Sequence, residues 1–170
     1  LGSGLSGLLN IRLARALGAG LIAATDVQPF RLQAALNSGA EAAVDARAQN
    51  VVERVLAVND GNKFDHVIVC TAASDAFPQA FGAVGPGGIV LLYAFSMPGS
   101  STPLDLHEYF RKSITLRSTY GASPTDLQQA VKLLRFGRVK VDDLITHRLS
   151  LAEAGLGFSL VVSGEESLKV

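Results

Sequence analysis

The chain has 170 residues, enough for one domain with a real core. Its 15 Lys+Arg balance 15 Asp+Glu, which argues against a general nucleic-acid or membrane-surface binder, because both need a basic surplus. Apolar residues make up 48% and mean hydropathy is +0.31, yet no run of about 18 apolar residues lacks a charge, so no membrane span is expected.

The apolar excess fits strands covered on both faces, as in parallel sheets. The single cysteine, Cys70, cannot form a disulfide within the chain, which fits a reducing compartment and a cytoplasmic protein. The opening residues lack the basic segment of a signal peptide. Residue 1 is not Met and the first motif has no strand before it, so both ends are expected to be cuts.

Apolar runs then alternate with amphipathic stretches. Ser6 to Leu17 reads as a helix stopped by Gly18, with Leu9, Leu13, Ala16 and Leu17 on one face. Leu21 to Thr25 reads as a short strand ending in Asp26. Pro29 to Asn37 is helical, with Pro in the first turn and Gly39 beyond the end. Ala42 to Val44 is a weak strand, Gln49 to Val58 a helix, and Asp60-Gly61-Asn62 a turn. His66 to Cys70 is a strand, and Ser74 to Val84 a helix with Ser74 as N-cap. Gly85 to Gly88 is a turn, Ile89 to Tyr93 a strand, Met97 to Pro103 a loop and Leu106 to Phe110 a short helix. Ile114 to Tyr120 is a strand and Thr125 to Phe136 a helix with Leu127, Val131 and Leu134 on one face. Leu144 to Leu149 is strand-like and Leu151 to Val162 helical. This alternation with short Gly-containing links predicts an α/β, doubly wound parallel sheet with helices on both faces.

Gly2-Ser3-Gly4-Leu5-Ser6-Gly7 matches G-x-G-x-x-G and opens onto the first helix. In such a turn the first glycine permits the tight bend, the second lets backbone approach a pyrophosphate, and the third lets helix pack close on strand. The helix N-terminus then offers unpaired N–H groups and partial positive charge to the anion. Asp26 follows Gly7 by 19 residues, close to the ~20 expected of the acid that binds a ribose 2′-OH. Its charge would repel a 2′-phosphate, which favours NAD over NADP. Asp26 also reads as a solvated strand-end residue capping the next helix. Arg31 reads as an adenine or 2′-phosphate contact, or as plain helix surface.

These words, in order, resemble the zinc-type medium-chain alcohol and polyol dehydrogenases. The matching words are Gly2-Ser3-Gly4-Leu5-Ser6-Gly7, Thr25-Asp26 with Arg31-Leu32, Gly39-Ala40 with Val44-Asp45, Phe64-Asp65-His66-Val67, Gly87-Gly88-Ile89-Val90, and Leu144 to Leu149. The resemblance implies a Rossmann sheet over residues 1–143, truncated at its first strand. Residues 144–170 would be a strand-helix return toward a missing catalytic domain.

The resemblance also implies NAD, and a zinc held by Cys, His and carboxylate ligands in the absent part, acting on an alcohol or polyol. Gly2, Ser3, Gly4, Leu5, Gly7, Asp26 and Arg31 are then the first cofactor-binding candidates. Thr71 and Ala72 would follow the adenosine and pyrophosphate side, Leu92 and Tyr93 the nicotinamide amide, and Ser118 and Tyr120 a second nicotinamide stretch. Lys169 would reach the pyrophosphate. A homo-oligomer pairing through the cofactor domain, with Ile114 to Tyr120 and Met97 to Pro103 as contacts, is also implied.

The possible metal ligands Cys70, His66, His107 and His147 show neither C-x-x-C nor H-E-x-x-H spacing, so no zinc site is expected in this chain, and no catalytic residue. Without its central first strand the isolated chain is expected to be unstable. Three other readings stay open. A zinc-independent quinone or enoyl reductase has a similar cofactor domain. A nucleotide-sensing module would use the same turn and acid. An S-adenosylmethionine methyltransferase would add a reversed hairpin strand, which the sequence does not show.

Overall fold

A computed structural model describes residues 1–48, 50–94 and 98–170. Five strands and seven helices alternate along it. The order is α1 (Leu5–Ala16), β1 (Ala23–Asp26), α2 (Pro29–Asn37), β2 (Ala42–Asp45), α3 (Val51–Ala57), β3 (Phe64–Val69), α4 (Ala76–Ala83), β4 (Val84–Leu92), α5 (Leu106–Arg111), β5 (Thr115–Ser118), α6 (Pro124–Arg135) and α7 (Ala154–Ser163). Gln49, the expected first residue of α3, and Met97, the expected start of the loop after β4, lie outside the described residues.

All strand pairs are parallel, in two sheets of order β1-β2 and β3-β4-β5. Leu1 and Gly2 join them. Leu1 bonds the β3 carbonyl of Ile68, and Gly2 donates its N–H to the β1 carbonyl of Thr25 at 2.9 Å. Read across that junction the strands run β2-β1, then Leu1 and Gly2, then β3-β4-β5, which is the doubly wound order.

Two apolar clusters cover opposite faces, as the alternation of side chains along a strand requires. Ala23 packs on the cluster built by α3, α4 and the β3–β4 pair, while its neighbour Ala24 lies in the cluster of Leu8 and Ile11 from α1 and Ala35 from α2. Val44 and Ala43 of β2 split in the same way. Val84, Val90 and Leu8 are fully buried, each contributing roughly 1.5–3 kcal/mol by removal from water. Leu144, in the segment after α6, is 2% exposed and completes the α1–α2 cluster. Arg12 fastens the same segment. Its guanidinium donates to both carboxylate oxygens of Asp143 (2.6 and 2.5 Å), to the Lys140 carbonyl and to Ser38 Oγ.

Three expectations need correction. Ser74 does not cap α4; Asp75 holds that position without a side-chain cap, and Ser74 Oγ bonds Asp75 instead. Gly85 to Gly88 lie within β4 rather than before it, because Val84 already pairs with Phe64. The ladder then jumps to His66 opposite Ile89, so the glycines loop out between the two pairings, Gly87 at φ +72°. Leu144 to Leu149 is not a strand: a short 3-10 turn, Asp142–Leu144, is followed by a single bridge, Ile145 to Lys169. The apolar face of α6 forms as its spacing predicts and is fixed by a Ser123–Asp126 capping box. That face is uncovered: Leu127, Val131 and Leu134 are 58%, 61% and 46% exposed.

Candidate dinucleotide site

The C-terminal ends of β1, β3, β4 and β5 lie along one edge of the parallel sheets, where open α/β folds bind ligands. The glycine turn sits at the centre of that edge. Gly2 has φ +85°, a conformation that L side chains rarely adopt, and a Cβ there would press on Thr71 Cβ at 2.9 Å and the Cys70 carbonyl carbon at 3.1 Å. A Cβ on Gly7 would collide with the Gly2 carbonyl, so α1 rests directly on the turn. A Cβ on Gly4 would meet nothing within 4 Å. The first and third glycines are therefore required by packing, and the second faces open space.

Gly4 is the N-cap of α1 and brings no side-chain cap; the first turn has no acidic residue. The first intrahelical bond is Leu8 N–H to the Gly4 carbonyl at 3.0 Å, so the N–H groups of Leu5, Ser6 and Gly7 have no helical acceptor. By contrast α5 is capped by Asp105, which accepts the Glu108 N–H at 3.0 Å, and α6 by Ser123. The N-terminus of α1 keeps its positive end free for an anion.

Asp26 ends β1 and is 7% exposed. Its Oδ2 accepts the Ser3 N–H at 2.7 Å, and its Oδ1 accepts the N–H groups of Val27 (2.8 Å) and Gln28 (3.0 Å). The carboxylate thus welds the glycine turn to the β1 end. A carboxylate has about four lone-pair sites, so one remains for a hydroxyl donor. Ser3, 1% exposed, adds a bond from its Oγ to the Thr25 carbonyl at 3.1 Å.

The remaining candidates are spread along the edge. Thr71 lies against Gly2, and its Oγ1 accepts the Ala73 N–H at 3.2 Å, which shapes the loop carrying the exposed Ala72. Leu92 closes β4 and its carbonyl accepts the Thr119 N–H at 3.3 Å; Tyr93 follows, its N–H on the Val69 carbonyl at 2.9 Å. Ser118 closes β5, and Tyr120 lies two residues beyond, 86% exposed.

Arg31 and Lys169 are placed differently from the other candidates. A Cβ on Gly164, at the end of α7, would lie 2.6 Å from a terminal nitrogen of Arg31, whose Nε is buried without a hydrogen-bond partner. Arg31 thus packs on the C-terminal segment. Lys169 offers its carbonyl to the N–H groups of Thr146 and His147; among the described residues no hydrogen bond or ion pair links it to the glycine turn.

Two neighbours of the site have no sequence signature. Asn10 donates to Cys70 Sγ at 3.5 Å, and burial pushes the Cys70 thiol up. Arg12 reaches Asp143 across 131 positions. Among the described residues no three His, Cys, Asp or Glu side chains come together as a metal site, and no helix is long and apolar enough to cross a membrane.

The sequence profile of the zinc-binding dehydrogenases matches residues 7–135. The chain belongs to that family. An L-threonine 3-dehydrogenase of Sinorhizobium medicae is 27% identical over 96% of the chain and 47% of the relative. A putative zinc-binding dehydrogenase of Sinorhizobium meliloti, solved bound to NADP, is 25% identical, with a TM-score of 0.88 over 99% of the chain and 49% of that structure. A structure described as a short chain alcohol dehydrogenase of Escherichia coli, complexed with NADH, shares the fold with a TM-score of 0.88 at 20% identity, over 99% of this chain and 49% of its own. The chain spans about half the length of the relatives it matches. The Rossmann reading holds, and members of the family are dehydrogenases.

Proposed function

We propose that this chain is the dinucleotide-binding part of an NAD-dependent alcohol or polyol dehydrogenase. The observation that carries the reading is the pairing of an uncapped helix N-terminus behind Gly4 with a buried carboxylate, Asp26, in one connected turn. When bound, the nicotinamide ring supplies the hydride acceptor for alcohol oxidation.

The chain's own residues bind and orient. The free N–H groups at the start of α1 take the pyrophosphate, Gly4 lets it approach, and Asp26 accepts a ribose hydroxyl. Thr71 and Ala72 line the adenosine side, while the ends of β4 and β5 at Leu92, Tyr93, Ser118 and Tyr120 hold the nicotinamide end. Arg31 and Lys169 are assigned to the outer rim of the ribose and pyrophosphate.

The described donor set does not fit a zinc ion, so the metal chemistry is assigned to residues outside this chain, which alone binds cofactor without turnover. The substrate is a small alcohol, and subunits pair through the outer edge of β5. Titration calorimetry with NADH and NADPH tests the reading: NADH is expected to bind tighter. A preference for NADPH, or equal weak binding of both, would refute the role given to Asp26.

A further inference from the structure

Two arginines follow the strands that flank the ribose side of the site, and both are engaged. Arg31 of α2 is drawn against Gly164 at the end of α7, with its Nε buried. Arg47 follows β2. Its Nε donates to Asp45 Oδ1 at 3.1 Å, a terminal nitrogen donates to Asp45 Oδ2 at 2.8 Å, and its backbone N–H donates to Oδ1 at 2.9 Å. The Asp45 carboxylate thus shapes the turn after β2 and holds the guanidinium fork by both oxygens.

This pair stands beside Asp26. The parallel ladder sets Asp26 opposite Asp45, and the Ala46 N–H donates to the Asp26 carbonyl at 2.9 Å, so the turn that carries Arg47 is tied to the end of β1. Neighbouring strands stand about 4.8 Å apart. The glycine turn, bonded through Ser3, takes the other flank of Asp26.

We propose that Asp45 is a cofactor-specificity residue: by engaging Arg47 it withholds that guanidinium from a 2′-phosphate on the ribose bound at Asp26. The proposal rests on the dinucleotide reading of this edge and deepens it. A guanidinium pairs with phosphate in the same forked geometry as with carboxylate, so Asp45 and a 2′-phosphate compete for one fork. Asp26 opposes the phosphate by repulsion, and Asp45 occupies the cation that would offset it. Both charges persist at working pH, because hydrogen bonds from Arg47 pull the Asp45 carboxyl down to about 2. The pair is exposed, with side chains 61% and 37% accessible, and exposed pairs are weak, which sets the effect at a few-fold. Arg54 of α3 also acts on Asp45, so loss of the carboxylate unmasks two cations, and only a double variant isolates Arg47.

Calorimetric titration of the 170-residue chain with adenosine 2′,5′-bisphosphate and with 5′-AMP, which differ only in the 2′-phosphate, tests this. Asp45→Asn keeps an oxygen for the Arg47 N–H and removes the charge. It is expected to tighten the bisphosphate relative to AMP by about threefold or more, and Asp45→Ser, which also keeps an oxygen, is expected to do the same. Asp45→Asn combined with Arg47→Ala should return the ratio to that of the parent. AMP binding shows that each variant is folded. An equal gain for both nucleotides, a gain that survives in the double variant, or no gain in either single variant would overturn the proposal. The readout is a change between variants, whereas the role given to Asp26 stands or falls on how the parent ranks NADH and NADPH. A parent that binds neither nucleotide would overturn the dinucleotide reading and this proposal with it.

Discussion

The carboxylate of Asp26 accepts the Ser3 N–H at 2.7 Å across 23 positions of sequence. One side chain thereby serves both the shape of the glycine turn and the recognition of a ribose. Asp26→Ala strands three backbone N–H donors, at Ser3, Val27 and Gln28, and is expected to cost ~2–3 kcal/mol in urea unfolding. Asp26→Asn keeps one acceptor oxygen and removes the charge. With that oxygen kept on Val27 and Gln28, its NH2 faces the Ser3 N–H, so it is expected to recover only part of that stability while lowering the NADH to NADPH affinity ratio at least tenfold, read by calorimetry.

Gly4 and Gly7 separate binding from folding. Gly4→Ala adds a methyl group that touches nothing within 4 Å of the folded chain, so the thermal midpoint should stay within about 2 °C, given that ~1 kcal/mol shifts a domain of this size by several degrees. NADH affinity should nevertheless fall at least tenfold, because the methyl occupies the approach path of the pyrophosphate. Gly7→Ala drives a methyl into the Gly2 carbonyl and should lower the midpoint strongly. Loss of stability in Gly4→Ala would show that its surroundings are not open.

The Arg12–Asp143 pair gives a pH signature. The Arg12 guanidinium holds the Asp143 carboxyl below its ordinary value of 3.8. A carboxyl depressed in the folded state stabilises above its unfolded pKa, and this stability is lost as pH falls through the folded value. Asp143→Asn should therefore be less stable than the parent at pH 6 and converge with it as pH falls through the depressed folded value, where the parent carboxyl becomes protonated. Asp143 is 64% exposed as a side chain, so the difference is screened and should shrink in 1 M salt. Convergence absent at low pH would assign the effect to packing rather than charge.

Leu144 and Leu127 are a matched contrast. Leu144 is 2% exposed and Leu127 58%. Leu144→Ala should cost ~2–5 kcal/mol, and Leu127→Ala within ~0.5 kcal/mol, measured in the same urea titration. A large loss at Leu127 would mean that the α6 face is covered in solution.

Much of this was legible in the sequence, for identifiable reasons. The glycine turn and Asp26 are read from spacing because backbone geometry, not side-chain partners, demands them. The strands β1 to β5 follow from apolar runs punctuated by glycine, and α2 begins and ends where Pro29 and Ser38–Gly39 dictate. The misreadings share a cause in tertiary context. Gly85 to Gly88 look like a turn, and backbone does loop out there, but Phe64 captures Val84 before it and so places the loop inside β4. Leu144 to Leu149 carry a strand's composition, yet Leu144 is spent filling the α1–α2 core and only Ile145 finds a partner, Lys169. Arg12 is one more arginine on an amphipathic helix until its partner, Asp143, is placed beside it. The exposed face of α6 is the reverse case: periodicity foretells the stripe and is silent on what covers it.

The Arg12 clamp also orders events during synthesis. Arg12 is synthesised with α1, while Asp143, and beside it Leu144 and the Lys140 carbonyl, arrives 131 positions later. At about 5–20 residues per second, on the order of ten seconds separates the two ends of the clamp on the ribosome. During that interval α1 gains its strand contacts as β1 to β5 are made, but it has neither its guanidinium partner nor the leucine that closes its core. The nascent chain thus carries the pieces of its anion cradle early and locks their angle last.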